Sequence, residues 1–426
     1  MASSSTGTKI AGTDFREARL HLPTLRLWHV CLPFMLRRFC NVVAVDIPAE
    51  DGARLKALRG ERLLLAPNHP TNVDPTLLFA LSKAVETPFH YLACRETFDG
   101  LGGLWGKIIQ RLGAYSVVRG TADRESFRAT RALLAAPAGK VVIFPEGEVY
   151  SQNDSLLPFH GGVVQLAFWA LEDLRKAGDM AGDISLLPIG LRYRFAQDMT
   201  APIARSISAL EQTLGLPATA PTEEIYTRLR RVGVMLLETL EVEYGLKKKS
   251  ETEADDLTPR MTAMKNLLLD RCAGLIGATH TPDMTLPERM RALINSVYAV
   301  THEAPTEARS PYRERLHREQ AARVAPLLHD LNRVANWIAV QDNYVRARPT
   351  PERMADNLRR LEVEAFGKAR LHGKQTGLVR VGEPLSLAAR YDAYKVDRRG
   401  AVARVTGELE QAAQRLLNAS APAERE

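Results

Sequence analysis

The stretch LLLAPNHPTNVDPTLLFALS, residues 63–82, decides how the chain is read. Residues 63–66 have the short apolar run of a buried strand. A polar loop follows, and Asp74-Pro75 opens a helix. The carboxylate is a good N-cap, and Pro gives up an amide that has no helical partner in the first turn. Inside the loop stand Asn68, His69 and Asp74. On a continuous helix the His69–Asp74 spacing would splay the two side chains apart, because neighbours fall three and four positions away. Pro70 and Pro75 interrupt regular structure, so the loop can fold back and bring Asp74 to the ring of His69. A carboxylate-oriented imidazole at a strand end is what a general base for a hydroxyl nucleophile requires. A plainer reading suits the same residues: Asp74 caps its helix and His69 is a polar loop residue.

On either side of this stretch, strand and helix character alternate. Residues 41–45 and 62–66 read as strands, 74–86 as a helix, 89–93 as a strand and 101–112 as a Gly-punctuated helix. Strand 115–118, helix 123–135, strand 140–144, helix 162–176 and strand 184–193 follow. This grammar predicts an α/β layered core sheet flanked by helices. Beyond residue 195 the pattern becomes helical, rich in Arg, Glu, Leu and Ala, with starts near Pro221, Pro259, Pro287, Pro311 and Pro351. KKKSETEA (247–254) reads as an exposed linker. TGLVRVGEPLSL (376–387) then reads as a strand ending in a Gly-Glu-Pro turn, and 402–417 as a helix. The expected organisation is an N-terminal amphipathic segment (1–40), an α/β core (41–199), a large all-helical insertion (200–371), and a C-terminal strand and helix (372–420) returning to the core. A separate C-terminal module is the alternative.

With 426 residues the chain can bury a large core, and its 45% apolar and 25% charged content is that of a globular protein. A net charge of +7 is mild, and suits an anionic substrate or membrane surface. No nucleic-acid motif or aromatic-basic strand pattern appears, so no nucleic-acid partner is expected. Cys31, Cys40, Cys94 and Cys272 have no metal-ligand spacing and form no disulfide framework, which fits a reducing cytoplasm. The first twenty residues lack the apolar core of a signal peptide or anchor, and no segment approaches the roughly 20 apolar residues of a membrane span. Residues 27–36 lack Lys, Arg, Asp and Glu, and Arg26 and Arg37 flank them. With Trp28, Phe34, Met35 and Phe39, this segment fits a membrane interface or packing onto the core. Pro23 and Pro33 argue against one long continuous helix there.

Three further stretches lie at predicted strand ends. GAYSVVRG (113–120) ends in Arg119-Gly120, a planar guanidinium suited to phosphate beside a flexible Gly. IFPEGEVYS (143–151) supplies the Glu146 carboxylate and Gly147, where backbone can approach a ligand. LLPIGLRYR (186–194) sets Pro188 and Gly190 in a strand, marking a bulge or close backbone approach. Each alone is common structural punctuation.

In this order, N-H-P-T-N-V-D, V-V-R-G, F-P-E-G and L-P-I-G resemble the four motif blocks of the glycerolipid acyltransferases, the glycerol-3-phosphate and lysophosphatidic-acid acyltransferases of membrane lipid synthesis. The likeness covers about residues 60–195, and VGEPLSL (381–387) is similar to that family's last core strand. It implies that His69, oriented by Asp74, takes the proton of an acceptor hydroxyl, whose oxygen attacks the thioester of an acyl-CoA or acyl carrier protein. It implies no metal, no cofactor and no covalent acyl-enzyme, and no G-x-S-x-G elbow is present. By the same resemblance Arg119 binds the acceptor phosphate, with Gly120 beside it in the substrate site, and Glu146 and Gly147 shape the acceptor site. Asn68 and Thr71 belong to the first block, Thr71 standing where the family often has Ser. The implied setting is cytoplasmic and peripheral, on the inner face of a membrane, with a lipid acceptor and an acyl thioester or carrier protein as partners.

One departure stands out. The family's third block usually continues F-P-E-G-T-R-S, whereas here Glu148, Val149 and Tyr150 follow Gly147. Losing that second arginine removes a charge-assisted contact of roughly 1.5–3 kcal/mol. Either another cation replaces it, with Arg95, Arg192 and Arg194 as candidates, or the acceptor is not a phosphomonoester. His160, just after the block, is a further candidate lining residue. A non-catalytic lipid-binding scaffold on the same fold is the remaining alternative.

Overall fold

The computed structural model describes residues 15–217, 224–246, 257–278, 284–302, 310–338, 340 and 343–420. The expected linker at 247–254, the helix start near Pro221 and the first fourteen residues lie outside these.

Eight strands form one sheet: β1 (Val42–Asp46), β2 (Leu63–Pro67), β3 (His90–Cys94), β4 (Ala114–Val117), β5 (Lys140–Val142), β6 (Ser185–Phe195), β7 (Gln375–Val381) and β8 (Leu385–Ser386). Their order is β1-β7-β6-β2-β5-β3-β4, with β8 also on β6. β2 runs parallel to β5 and β6, β3 parallel to β4 and β5, and β1 parallel to β7. β7 and β8 run antiparallel to β6. β7 thus lies between β1 and β6, although the whole helical block precedes it in sequence.

Between the strands run α1 (Leu22–Phe39), α2 (Ala49–Ala57), α3 (Asp74–Ala84), α4 (Leu104–Arg111), α5 (Arg124–Ala135) and α6 (Gly161–Lys176). The block comprises α7 (Thr200–Thr213), α8 (Ile225–Glu243), α9 (Thr258–Ile276), α10 (Leu286–His302), α11 (Pro311–Val324), α12 (Leu327–Trp337), α13 (Asn343–Ala347) and α14 (Pro351–Phe366). After β8 come α15 (Tyr391–Val396) and α16 (Arg398–Ala419). Among the described residues the block holds no strand, and it packs around two apolar clusters of its own.

β2 shows why its sequence is apolar throughout. Leu63 and Leu65 pack with α1, α3 and α4 on one face of the sheet, while Leu64 and Ala66 pack with α5, α6 and α16 on the other. Strands covered by helices on both sides have no wet face. Gly190 in β6 answers to a close approach by a helix: a Cβ there would stand 2.8 Å from Cβ of Leu416 in α16.

Two local expectations are corrected. α1 is continuous through Pro33. Proline removes the amide that would bond His29 O four residues back, and Lys83 Nζ of α3 donates to that carbonyl instead, at 2.8 Å. Pro23 sits in the first turn, where it costs nothing. The helix expected over 101–112 is broken, because Leu101, Gly102 and Gly103 all have positive φ, and α4 begins only at Leu104.

Candidate active site

His69 follows the end of β2, and Asp74 is the first residue of α3. Val73 occupies the N-cap position and makes no side-chain cap bond, so the Asp74 carboxylate turns back into the loop. Its Oδ2 accepts from His69 Nδ1 at 2.7 Å and from the Thr71 amide at 2.9 Å. Its Oδ1 accepts from Thr71 Oγ1 at 2.7 Å and from the Tyr193 hydroxyl at 2.6 Å. Four donors thus converge on the two oxygens of a carboxylate that is completely buried. With Nδ1–H directed at Asp74, the lone pair of His69 falls on Nε2, which has no partner among the described residues. The imidazole is 17% exposed and stacks on Phe144, ring centroids 3.9 Å apart. A base nitrogen facing outward, an orienting carboxylate and a fixed ring plane can together accept a proton from a bound hydroxyl.

The neighbouring residues hold this loop from beneath. Glu146 lies beyond the end of β5, nearly fully buried. Its Oε1 accepts from the His69 amide at 2.8 Å and its Oε2 from the Leu157 amide at 3.0 Å. Burial pushes its pKa up to about 7, Asp74 adds to this, and the two amides pull the other way. Gly147, φ +73°, leaves room for the His160 ring, which would stand 3.1 Å from any Cβ there.

The raised Glu146 pKa carries a stability consequence. Its advantage to the folded state is complete below the ordinary value of 4.5 and is lost as pH rises through about 7. From pH 4.5 to 8, wild type is expected to lose up to about 3 kcal/mol relative to Glu146→Gln, measured by urea unfolding of both proteins. A difference that stays flat across that range would contradict the burial argument.

Asn68 is also buried, and its side chain imitates a strand. Its amide nitrogen donates to Leu191 O at 2.9 Å and its oxygen accepts from Leu191 N at 2.6 Å. Two residues along β6, Asn153 does the same for Tyr193, with Nδ2 on the carbonyl and Oδ1 on the amide. Two further along, Glu352 of α14 accepts from the Phe195 amide at 2.9 Å. β2 ends at Pro67, opposite Ile189, and these three side chains continue its hydrogen-bonding role along β6. Tyr193 is held opposite Asp74 by this ladder.

Arg119 stands beyond β4. Its Nη1 meets Glu148 Oε2 at 2.7 Å, and Arg291 of α10 grips Oε1 of the same carboxylate. Asn295, one turn further along α10, donates to Arg119 O at 2.6 Å. Gly120, φ +71°, makes this docking possible, since a Cβ there would lie 2.9 Å from Cγ of Arg291. A cavity of 220 Å³ opens here between the strand ends and helices α10 and α12.

Arg192 and Arg194 are not brought to the site. Arg192 points to the face of β6 opposite Tyr193, where it is buried against Leu417 O and Asp154. Arg194 shares that face and is exposed. The two do lie on one side of the strand, but it is the side away from Asp74. Arg95 is bonded to Asp99 at 2.8 Å. The cation set beside Arg119 is Arg291. Sequence reasoning missed it because it lies 172 positions away in an amphipathic helix. It also missed Tyr193, although strand alternation from Ile189 and Leu191 sets Tyr193 on the same face of β6.

Residues 50–192, one third of the chain, match the model of the family described as Acyltransferase. That span holds His69, Asp74, Arg119 and Glu146; Tyr193 and the whole helical block, with Arg291, lie beyond it. No curated protein matches the chain.

Proposed function

We propose that the protein transfers a fatty acyl chain from acyl-CoA or acyl carrier protein to a hydroxyl of a glycerolipid precursor, with His69 as general base, a reading supported by the match of residues 50–192 to the acyltransferase family model. The observation that carries this reading is the His69–Asp74 pair with its outward Nε2. The acceptor hydroxyl gives its proton to Nε2 as its oxygen attacks the thioester carbonyl. The tetrahedral adduct then collapses, the C–S bond breaks, and the departing thiolate takes up the proton from the imidazolium. Asp74 keeps the ring in the required tautomer and stabilises its charged form. Lysophosphatidate and glycerol 3-phosphate are the acceptors the family resemblance implies. The engagement of Arg119 by Glu148 favours an acceptor that is not a phosphomonoester. Incubation with labelled long-chain acyl-CoA or acyl carrier protein and a panel of lysolipids is expected to yield the acylated lipid. If no acceptor is acylated from either donor, the transferase reading is wrong.

The same reading places the enzyme on a membrane surface. No described helix is long and apolar enough to cross a bilayer. Instead α1 turns apolar residues outward: Leu27, Val30 (75% exposed) and Phe34 (66%) lie along one side, and Leu101, before α4, and Leu104, its first residue, are exposed. α1 contains no acid, and Arg26, Arg37 and Arg38 are exposed around the patch. An apolar face rimmed by cations suits an anionic bilayer. Val30→Asp combined with Phe34→Asp is expected to weaken binding to phosphatidylglycerol vesicles at least tenfold in a flotation assay. Unchanged flotation would exclude α1 as the docking surface.

A further inference from the structure

The cavity at the seam between the core and the helical block has a definite charge pattern. Arg119 and Arg291 supply two positive charges, and Glu148 and Glu96 supply two negative ones, so the four sum to zero. Glu148 is held by both arginines at once and is largely buried. Arg119 Nε is buried with no hydrogen-bond partner among the described residues. Glu96 is exposed. The remaining wall includes the apolar side chains of Ile294 and Ile338.

We propose that this cavity is the headgroup site of the acceptor and that it selects a zwitterionic phosphodiester over a phosphomonoester dianion, with Arg291 of the helical block as a specificity-determining residue. The proposal rests on the acyl-transfer reading above and adds the class of acceptor. A dianion entering the site would leave two uncompensated negative charges beside Glu148 in a partly desolvated space, which is costly. A headgroup carrying one phosphate charge and one ammonium leaves none. Its phosphate oxygens can meet the guanidinium groups of Arg119 and Arg291 that line the cavity, and its ammonium can meet Glu96. Glu148 then has two effects. It joins α10 to the strand end that carries Arg119, and it removes the positive excess that would attract a dianion.

The test is calorimetric binding of short-chain, monomeric lysophosphatidylethanolamine and lysophosphatidate to the full chain, so it does not depend on turnover. Wild type is expected to bind the ethanolamine lipid at least tenfold more tightly. Glu148→Gln adds one net positive charge to the site and should shift the ratio at least tenfold toward lysophosphatidate. Glu96→Gln changes only an exposed side chain, so folding is not at stake. It should weaken the ethanolamine lipid severalfold while strengthening lysophosphatidate. Arg291→Gln should weaken the ethanolamine lipid as well. Equal or tighter binding of lysophosphatidate by wild type would overturn the proposal, as would an unchanged ratio in both glutamate variants or no binding of either lipid. Selective binding without any acyl transfer would instead overturn the catalytic reading and leave the cavity's headgroup selectivity standing without an acceptor role.

Discussion

His69→Ala is expected to lower kcat/KM for acyl transfer by roughly 10³-fold, within the 10²–10⁴ range of a positioned general base. The loss should fall on kcat, because a general base acts on the proton in flight and adds little to substrate binding. Folding should be nearly unaffected. The ring is partly exposed, and its one side-chain hydrogen bond is to Asp74. Its removal leaves Asp74 with three donors, two from Thr71 and one from Tyr193. Single-turnover acyl transfer beside a thermal melt checks both halves. A folded His69→Ala protein with wild-type turnover would remove His69 from the mechanism.

Asp74 should divide stability from catalysis according to the substitution made. Asp74→Ala leaves four donors around a buried void, among them the Thr71 amide, which cannot turn away. A loss of about 3 kcal/mol or more is expected. Activity should fall at least as far as in His69→Ala, since the ring loses both its tautomer and its orientation. Asp74→Asn is different. The hydroxyls of Thr71 and Tyr193 can rotate to accept from the new amide NH₂, whereas the Thr71 amide and His69 Nδ1–H can only donate. The amide oxygen therefore takes the place of Oδ2 and keeps the tautomer. Stability should stay within about 1 kcal/mol of wild type, while activity drops about 10²-fold because the imidazolium loses its counter-charge. Urea unfolding and steady-state kinetics on the two variants check the contrast. Equal activity in Asp74→Asn and wild type would reduce Asp74 to a structural residue.

The parts of the site that depend on short stretches were legible in the sequence. His69 and Asp74 lie on one loop between a strand and a helix, and prolines limit what that loop can do. Strand and helix periods likewise disclosed the layered α/β core. What could not be read was anything set by pairing across distance. Tyr193 reaches Asp74 only because β6 runs beside β2 in a particular register. Arg291 reaches Glu148 only because α10 lies against Gly120. Motif membership also concealed what the residues do. Asn68 and Glu146 carry the family pattern, yet both are buried and bonded to backbone. Arg192 and Arg194 are neighbouring candidates in sequence, but which face of β6 they take, the one away from Asp74, depends on how the sheet packs.

The ladder of Asn68, Asn153 and Glu352 along β6 bears on the order in which the protein can mature during synthesis. The first two rungs and β6 itself are made within the first 195 residues. The third rung waits for residue 352, and β7, the strand on β6's other edge, for residues 375–381. Until then a ribosome-bound chain carries every residue of the His69–Asp74–Tyr193 cluster while one long edge of β6 stays open. An open strand edge is an invitation to foreign strands, so this interval is when the nascent chain most needs a chaperone. A fragment stopped before β7 would leave that edge uncovered and is expected to aggregate.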